Sequence, residues 1–524
     1  MLRSTFYQQS LLEVDPDEVL LTRGSFEREL RSVLPRLVSV DDFRELHPST
    51  EGADTCDPLV LTGMLLLQFR FRLSDRDLIA RCRRDLGFRY ALALEKGVSA
   101  PGIASLKRFR AGVRKLKGPD WLFRLSLKLA VRDGLVDAGE LQAVDSTNTD
   151  QRGATLDTFN LIAGGIRMVV HAVAEATGRD KRAVARDWEL TRYLARSIKG
   201  AADIDWSDEG QRRRLLTSEI RDADRVLGLV GAQFAHLRPA GVATSAALLA
   251  KVARQDVEQL DDGTFSIARG TAPDRVVSAT DPEARHGRKS AAKTIIGFKV
   301  HVQGTVKSQF VTGIDVTGAN VHDAAPTVGL VEQTDAVGLK PTHMVADNAY
   351  GSGANRRALN GLGVVLHTKL PSVSHPGITK RDFAIDLNAM SVTCPQGETT
   401  TNFVMSKDPG GSGERVPRFT FPKATCASCP LADACAGGAK GRGRIVTLNL
   451  HEAEIQEAQR MNARPEEKAL LRERSGVERL IAHLVRMGMR QARFFGLAMT
   501  RFQAFMTAAA YNLQRYMTLA AAAV

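Results

Sequence analysis

Three acidic residues, far apart in the chain, have the types and settings for metal-assisted chemistry. Asp145 follows the run Leu141-Gln142-Ala143-Val144, and Asp347 ends His343-Met344-Val345-Ala346. Glu478 lies within Arg472-Glu473-Arg474-Ser475-Gly476-Val477-Glu478-Arg479, inside a helical pattern. Two aspartates at strand ends and a glutamate on a helix offer hard oxygen ligands on rigid elements. Such carboxylates can converge on two divalent cations held roughly 3.5–4 Å apart. A centre of that kind activates a water or a 3′ hydroxyl against a phosphodiester and stabilises the leaving oxygen. Taken singly, each carboxylate has a plainer reading, since the chain has 59 acidic residues and most such groups cap helices or face water.

Cysteines form a second constellation. Cys394, Cys426, Cys429 and Cys435 fall within 42 residues, while Cys56 and Cys82 stand apart in the N-terminal part and read as structural. A CxxC pair presents two thiolates to one ion, and two further cysteines complete a tetrahedral structural Zn2+ site. A redox pair or free buried thiols are the alternatives.

The elements that must position these groups are legible in outline. Residues 11–95 read as mostly helical, with an apolar run over 59–71. Ser74-Asp75-Arg76-Asp77 resembles a capping box that opens a further helix. Arg76, Arg81, Arg83, Arg84 and Arg89 crowd that segment, and Lys107, Arg108, Arg110, Arg114, Lys115 and Lys117 follow. Two such helices form either a DNA-binding module or an ordinary bundle with a solvated basic face. A short strand ends at Asp145, and residues 157–260 read as helical. Alternation predicts a hairpin over 294–302 and 309–316. A helix over 323–333, a strand over 343–346, a helix over 355–362 and a strand over 364–369 follow. On the Glu478 helix, Val477, Leu480, Ile481 and Leu484 make an apolar stripe. Arg479, His483, Arg486, Arg490 and Arg493 make a basic one, provided the helix continues through Gly488.

Composition narrows the function. Hydrophobic content of 44% and charged content of 25% are those of a globular chain. No apolar stretch reaches about 18 residues, so no membrane span is expected. The first six residues lack the apolar core of a signal peptide. The net charge of +13 points to a polyanion partner. From Arg479 onward there are six arginines and no acidic residue. There is no Walker-type phosphate loop and no convincing Ser/His/Asp arrangement.

Several blocks occur in order: Val144-Asp145-Ser146-Thr147, Asp281-Pro282-Glu283-Ala284-Arg285, Gly297-Phe298-Lys299, Asn320-Val321-His322-Asp323, Ala346-Asp347-Asn348-Ala349-Tyr350-Gly351 and Arg474-Ser475-Gly476-Val477-Glu478-Arg479. In this set the chain resembles the DDE-class transposases of bacterial insertion sequences, and within them the group with a four-cysteine block between the second aspartate and the glutamate. The resemblance covers nearly the whole chain. It implies an α/β fold with an RNase H-like mixed-sheet core. The helical N-terminal DNA-binding region would be 1–138 and the first part of the core 139–384, with a helical insert at about 155–280. A cysteine-rich zinc-binding insert at 385–445 and a C-terminal helical part at 446–524 complete it.

The resemblance implies Asp145, Asp347 and Glu478 as catalytic ligands of two Mg2+ (or Mn2+) ions. It also implies roles for Arg474 and Tyr350 near the DNA backbone. Lys299, Arg479, Arg486 and Arg490 are further candidate DNA contacts, and Cys394, Cys426, Cys429 and Cys435 the Zn2+ ligands. Related chains often carry Tyr, two residues, Arg, three residues, Glu, six residues, Lys. Arg474 and Glu478 match, whereas Leu471 replaces the tyrosine and Val485 the lysine, with Arg486 beside it. The implied activity is cleavage and strand transfer on inverted element ends and target DNA. The implied assembly is a homodimer in the synaptic complex, in the cytoplasm at the nucleoid. A DNA-binding relative without catalysis, or a nuclease that hydrolyses without joining, are the alternatives.

Overall fold

The computed structural model describes residues 20–46, 56–95, 97–236, 239–290, 293–371, 377–436 and 443–523. The first part of the region read as mostly helical, 11–19, and the N-terminal hexapeptide lie outside them.

Helix starts in the N-terminal region follow from side-chain caps. Ser25, Asp57 and Ser74 each accept a first-turn backbone N–H, satisfying donors that a helix leaves open. They open α1 (Phe26–Leu37), α2 (Pro58–Arg70) and α3 (Asp75–Arg84). Asp77 N donates to Ser74 Oγ at 3.1 Å and Ser74 Oγ donates to Asp77 Oδ2 at 2.7 Å, so the cap forms without the return bond to the Ser74 backbone N–H that a full capping box has. Then come α4 (Ile103–Leu116) and α5 (Trp121–Arg132). Helix α2 is apolar on nearly every side and is buried from Pro58 through Phe69, as such a helix must be.

A mixed sheet occupies the centre. Its strands are β1 (Gln142–Asp150), β2 (Arg285–Ser290), β3 (Lys293–Thr305), β4 (Val311–Gly318), β5 (His343–Ala346) and β6 (Val365–His367). The long strand β3 pairs antiparallel with β1 on one edge and with β4 and β2 on the other. Strand β5 lies parallel to β1, and β6 parallel to β5. The spatial order β4-β3-β1-β5-β6 therefore places the first strand in the middle.

Between β1 and β2 sits a helical insert with its own core. Helices α6 (Thr158–Thr177), α7 (Glu209–Gln233) and α8 (Ala240–Val252) bury Ile162, Ile166, Ile220, Val226 and Leu249 together. By length and hydropathy α6 could cross a membrane, but its apolar residues pack against α7 and α8. Asn160, Arg167, His171 and Glu175 interrupt its apolar run.

Helix α9 (Thr327–Asp335) begins after Pro326, later than the pattern suggests, and α10 (Gly353–Gly361) covers the sheet next to it. The cysteine-bearing segment is built from short antiparallel strands around Phe383, Val392, Phe419, Phe421, Val446 and Leu448. The chain ends in α11 (Glu452–Ala463), α12 (Pro465–Arg472), α13 (Ser475–Arg486) and α14 (Leu497–Ala522). The last is a buried pillar that packs on β4, α2 and α5, so the N-terminal helices and the sheet share one core. Asn512 on this pillar accepts from Val311 N at 2.9 Å and donates to Val311 O at 2.8 Å. It serves the backbone where a bulge shifts the β3–β4 register. The N-terminus of the pillar has no cap of its own. Asp281 and Glu283 supply one by accepting from Gly496 N and Leu497 N at 3.0 and 2.8 Å, which gives the Asp281-Pro282-Glu283 block a structural role.

Two expectations need correction. Asp145 does not end its strand, because β1 runs on to Asp150 against β3 and the 490–492 backbone. Nor does the Glu478 helix pass Gly488: α13 ends at Arg486, and Gly488 has φ of +97°. The basic stripe is therefore broken before Arg490.

Candidate active site

Strand register brings the two aspartates together. Val144 pairs with Ala346, the last residue of β5. Asp145 and Asp347 are thus the next residues on adjacent parallel strands, which run about 4.8 Å apart. The edge of β1 is open at Asp145 because its parallel partner has ended, and this explains how a mid-strand residue can serve a site. Ligand sites favour this carboxyl end of parallel strands. Asp145 Oδ1 accepts from Ser146 N at 2.7 Å, and Asp347 Oδ1 from Asn348 N at 2.6 Å.

Glu478 arrives on α13, whose buried residues Val477, Leu480 and Leu484 pack on β3 and β1. Gly304 permits this approach. A Cβ there would lie 2.3 Å from Leu480 Cδ1 and 2.5 Å from Phe310 O. The preceding α12 is tied to the sheet by buried Glu467, whose Oε2 lies 2.9 Å from His367 Nδ1.

Arg474 links the carboxylates. Its guanidinium reaches Asp145 Oδ2 at 3.1 Å and Glu478 Oε1 at 2.7 Å. Burial raises the Asp145 carboxyl above the usual carboxylate range, and the charges of Asp347 and Glu478 add to the effect, while Ser146 N and Arg474 oppose it. Asp347 and Glu478 both repel the Asp145 charge, and the one guanidinium pairs with only two of the three carboxylates, so the site favours added positive charge. Hard oxygen donors in that arrangement suit Mg2+ or Mn2+. With Arg474 bound to two of them, they are not drawn into a ligand set. Among the described residues no three His, Cys, Asp or Glu side chains stand close enough to hold a metal ion.

A cleft of about 300 Å3 opens beside the site, lined by Asp347, Asn348, Lys369, Arg474, Ser475 and Glu478. Lys369 was not anticipated. Its signal was the one that marks Asp347, a charged residue just past an apolar strand.

Two expected DNA contacts face inward. Tyr350 is fully buried, with its hydroxyl 3.3 Å from His301 Nδ1. It anchors the turn Asn348–Tyr350 that follows Asp347 and presents no surface to a phosphate. Lys299 gives its ammonium to Asp323 Oδ1 and Val321 O, both at 2.8 Å, and is 13% exposed. Burial brings His301 down to about 4, so it is neutral at pH 7. Arg479, Arg486 and Arg490 are exposed as expected. The first two lie on α13, and Arg490 lies in the loop beyond it. Arg493 turns inward, its guanidinium over the Phe69 ring.

Cys394, Cys426 and Cys435 border one small core, and they and Cys429 are free thiols. Leu431 N lies 3.4 Å from Cys429 Sγ, and Arg444 N lies 3.4 Å from Cys426 Sγ. Burial raises the Cys435 thiol, and the other three thiols contribute to the effect. The sulfurs are thus neighbours, although no closed metal-binding set is formed among the described residues.

Comparison with known families gives two matches. A family described as Transposase DDE domain matches residues 393–517, from the cysteine block through Glu478 into α14. A family described as Transposase domain (DUF772) matches residues 16–112, the N-terminal helices. Asp145 and Asp347 lie outside both. No curated protein and no solved structure matches the chain.

Proposed function

We propose, for a chain that belongs to the DDE-class transposases of bacterial insertion sequences, that it binds inverted element ends and performs both DNA cleavage and strand transfer at the Asp145–Asp347–Glu478 site. The observation that carries this reading is that the β1–β5 register sets Asp145 and Asp347 side by side at the carboxyl end of two parallel strands, while Arg474 joins Asp145 to Glu478. The order β4-β3-β1-β5-β6, with three antiparallel strands followed by two parallel to β1, supports an RNase H-like core.

Asp145, Asp347 and Glu478 would hold two Mg2+ or Mn2+ ions. When bound, such ions polarise the phosphoryl oxygen and make a water or a 3′ hydroxyl nucleophilic at neutral pH. The protein's own groups do the rest. Arg474 holds two carboxylates apart, so it must release them before they can act as ligands, and a DNA phosphate offers it a new bidentate partner. Arg479, Arg486 and Arg490 present exposed guanidinium groups that position the backbone without reading sequence. Two copies of the chain would bring two element ends together.

Incubating the full chain with duplexes that carry the element ends, with Mg2+ or Mn2+, should give nicked ends and joined products. Retarded complexes with no cleavage under either metal would overturn this in favour of a DNA-binding relative. Cleavage without joining would favour a nuclease.

The cysteine segment would hold one structural Zn2+ through Cys394, Cys426, Cys429 and Cys435, since soft thiolates suit that ion. Backbone N–H groups at 3.4 Å from Cys426 and Cys429 are the partners that such sulfurs use. Elemental analysis of protein purified without chelator should find about one zinc per chain, and Cys426→Ser with Cys429→Ser should remove it. Metal-free native protein with four titratable thiols in this block would refute the assignment.

A further inference from the structure

A second concavity, larger than the cleft beside the carboxylates, lies elsewhere in the fold. A cleft of about 920 Å3 separates α3 and α4 from the 487–494 segment and the start of α14. Phe69, Phe494, Met487 and Met499 contribute apolar walls, and seven basic residues face one acid, Asp75, across it. That acid is already committed, to Arg110 at 2.6 Å and Gln68 at 2.7 Å. Arg72, Arg76, Lys107 and Arg152 are exposed on the rim, and none forms an ion pair among the described residues. Deeper in, Arg110 is 6% exposed and its Nε has no acceptor. Burial and the charges of Arg110 and Arg152 push Arg493 below the usual guanidinium range. Cations are crowded here beyond what the chain itself neutralises.

The geometry points to this cleft as a second DNA site, a clamp for the phosphodiester backbone inside the element end, separate from the carboxylate site. This deepens the transposase reading and rests on it. A single small anion would leave most of the rim cations unmatched, whereas duplex DNA carries one charge per roughly 1.7 Å of its axis. The clamp is also continuous with the candidate active site. Asp150 N donates to Arg490 O at 2.8 Å and Ala492 N to Asp150 O at 2.9 Å, fixing one wall of the cleft to the far end of β1. Asp145 lies five residues back along that strand, roughly 17 Å away, the rise of about five base pairs. Arg479 and Arg486 lie on the α13 flank between them, and Arg72 Nη1 lies 3.5 Å from Arg486 O. A duplex cut at the carboxylates would therefore pass the clamp about five or more base pairs from the cut.

The test is binding of end-bearing duplex to the full chain in EDTA, followed by fluorescence anisotropy across a salt series. R76A/K107A/R152A should weaken binding at least about tenfold and flatten the plot of log K against log salt by nearly 3, about 0.9 per lost phosphate contact. R76K/R152K, which keeps the charge, should retain the slope, separating lost contacts from a damaged fold. Ethylation of phosphates about five base pairs or more inside the cut should interfere with the native chain but not with the triple variant. DNA binding with an unchanged slope in the triple variant overturns the clamp and leaves the transposase reading standing. No binding of end DNA by the native chain overturns both. Unchanged DNA binding with selective loss of RNA binding would assign the cleft to RNA and also overturn the clamp.

Discussion

Asp145→Asn is expected to lower cleavage of element ends by about 10^3-fold or more while leaving end binding largely intact. The substitution is isosteric and keeps an oxygen near Ser146 N. It removes a charged oxygen ligand from the centre of the site and leaves Arg474 with Glu478 as its remaining carboxylate in the pair. Asp347→Asn and Glu478→Gln should do the same, because a ligand set acts as a unit. For that reason Asp145→Asn combined with Glu478→Gln should cost little more than either alone. Affinity should not fall, since each change removes negative charge beside a DNA-binding face. Cleavage and joining are read on gels of labelled end duplex, and binding by mobility shift in EDTA. Full strand transfer by any one of the three variants would sink the assignment.

The pH dependence follows from the same contacts. Burial places the Asp145 carboxyl above its ordinary range, so it takes up a proton earlier than an ordinary aspartate as pH falls. A protonated Asp145 is a poor ligand, and activity should decline on the acid side. Arg474 works against that rise. Arg474→Ala should therefore raise the Asp145 carboxyl further in the metal-free chain, a displacement read by NMR titration of that carboxyl that loss of a DNA contact alone would not produce.

Much of this site could be read from the chain because each carboxylate sits where local patterning is strong. Asp145 and Asp347 interrupt apolar strands, and Glu478 flanks the stripe Val477, Leu480, Leu484. What could not be read was pairing. Only the parallel register of Val144 with Ala346 makes neighbours of residues 145 and 347. Strand β3 shows the limit of alternation. Lys299, His301, Gln303 and Thr305 occupy alternate positions, a pattern that ordinarily marks a wet face. Instead His301, Gln303 and Thr305 are fully buried. Gln303 Nε2 donates to Gln142 Oε1 at 2.7 Å, and Thr312 Oγ1 donates to the same oxygen at 2.7 Å. Polar residues that bond to one another inside a two-sided sheet look like surface residues in sequence. Tyr350 misled for a related reason, because a lone aromatic beside a polar turn carries no mark of burial. Gly488 ended the arginine stripe because its left-handed backbone terminates α13.

Glu219→Gln is expected to stabilise the helical insert by about 3 kcal/mol at pH 7. Glu219 sits on α7 with no solvent exposure, and neither carboxyl oxygen has a partner. Burial raises it from 4.5 to about 9, so the folded insert keeps it neutral where the unfolded chain releases its proton. Below the unfolded value both states are protonated and the insert has its full stability. As pH rises from 4.5 towards 9 the unfolded state gains from ionisation while the folded state does not. Stability therefore falls by about 1.4 kcal/mol per pH unit, and the interval from 4.5 to 7 gives the 3 kcal/mol above. Glutamine has the same shape and cannot ionise. Its amide lacks partners as the neutral carboxyl does, so that cost cancels to first order. Two of the chain's three tryptophans, Trp188 and Trp206, pack in or against the insert core and report its unfolding. Native and variant chains should unfold alike near pH 4.5 and diverge steadily above it. Parallel stability curves from pH 5 to 9 would mean that Glu219 is ionised and compensated in the fold, and the argument from its burial would fail.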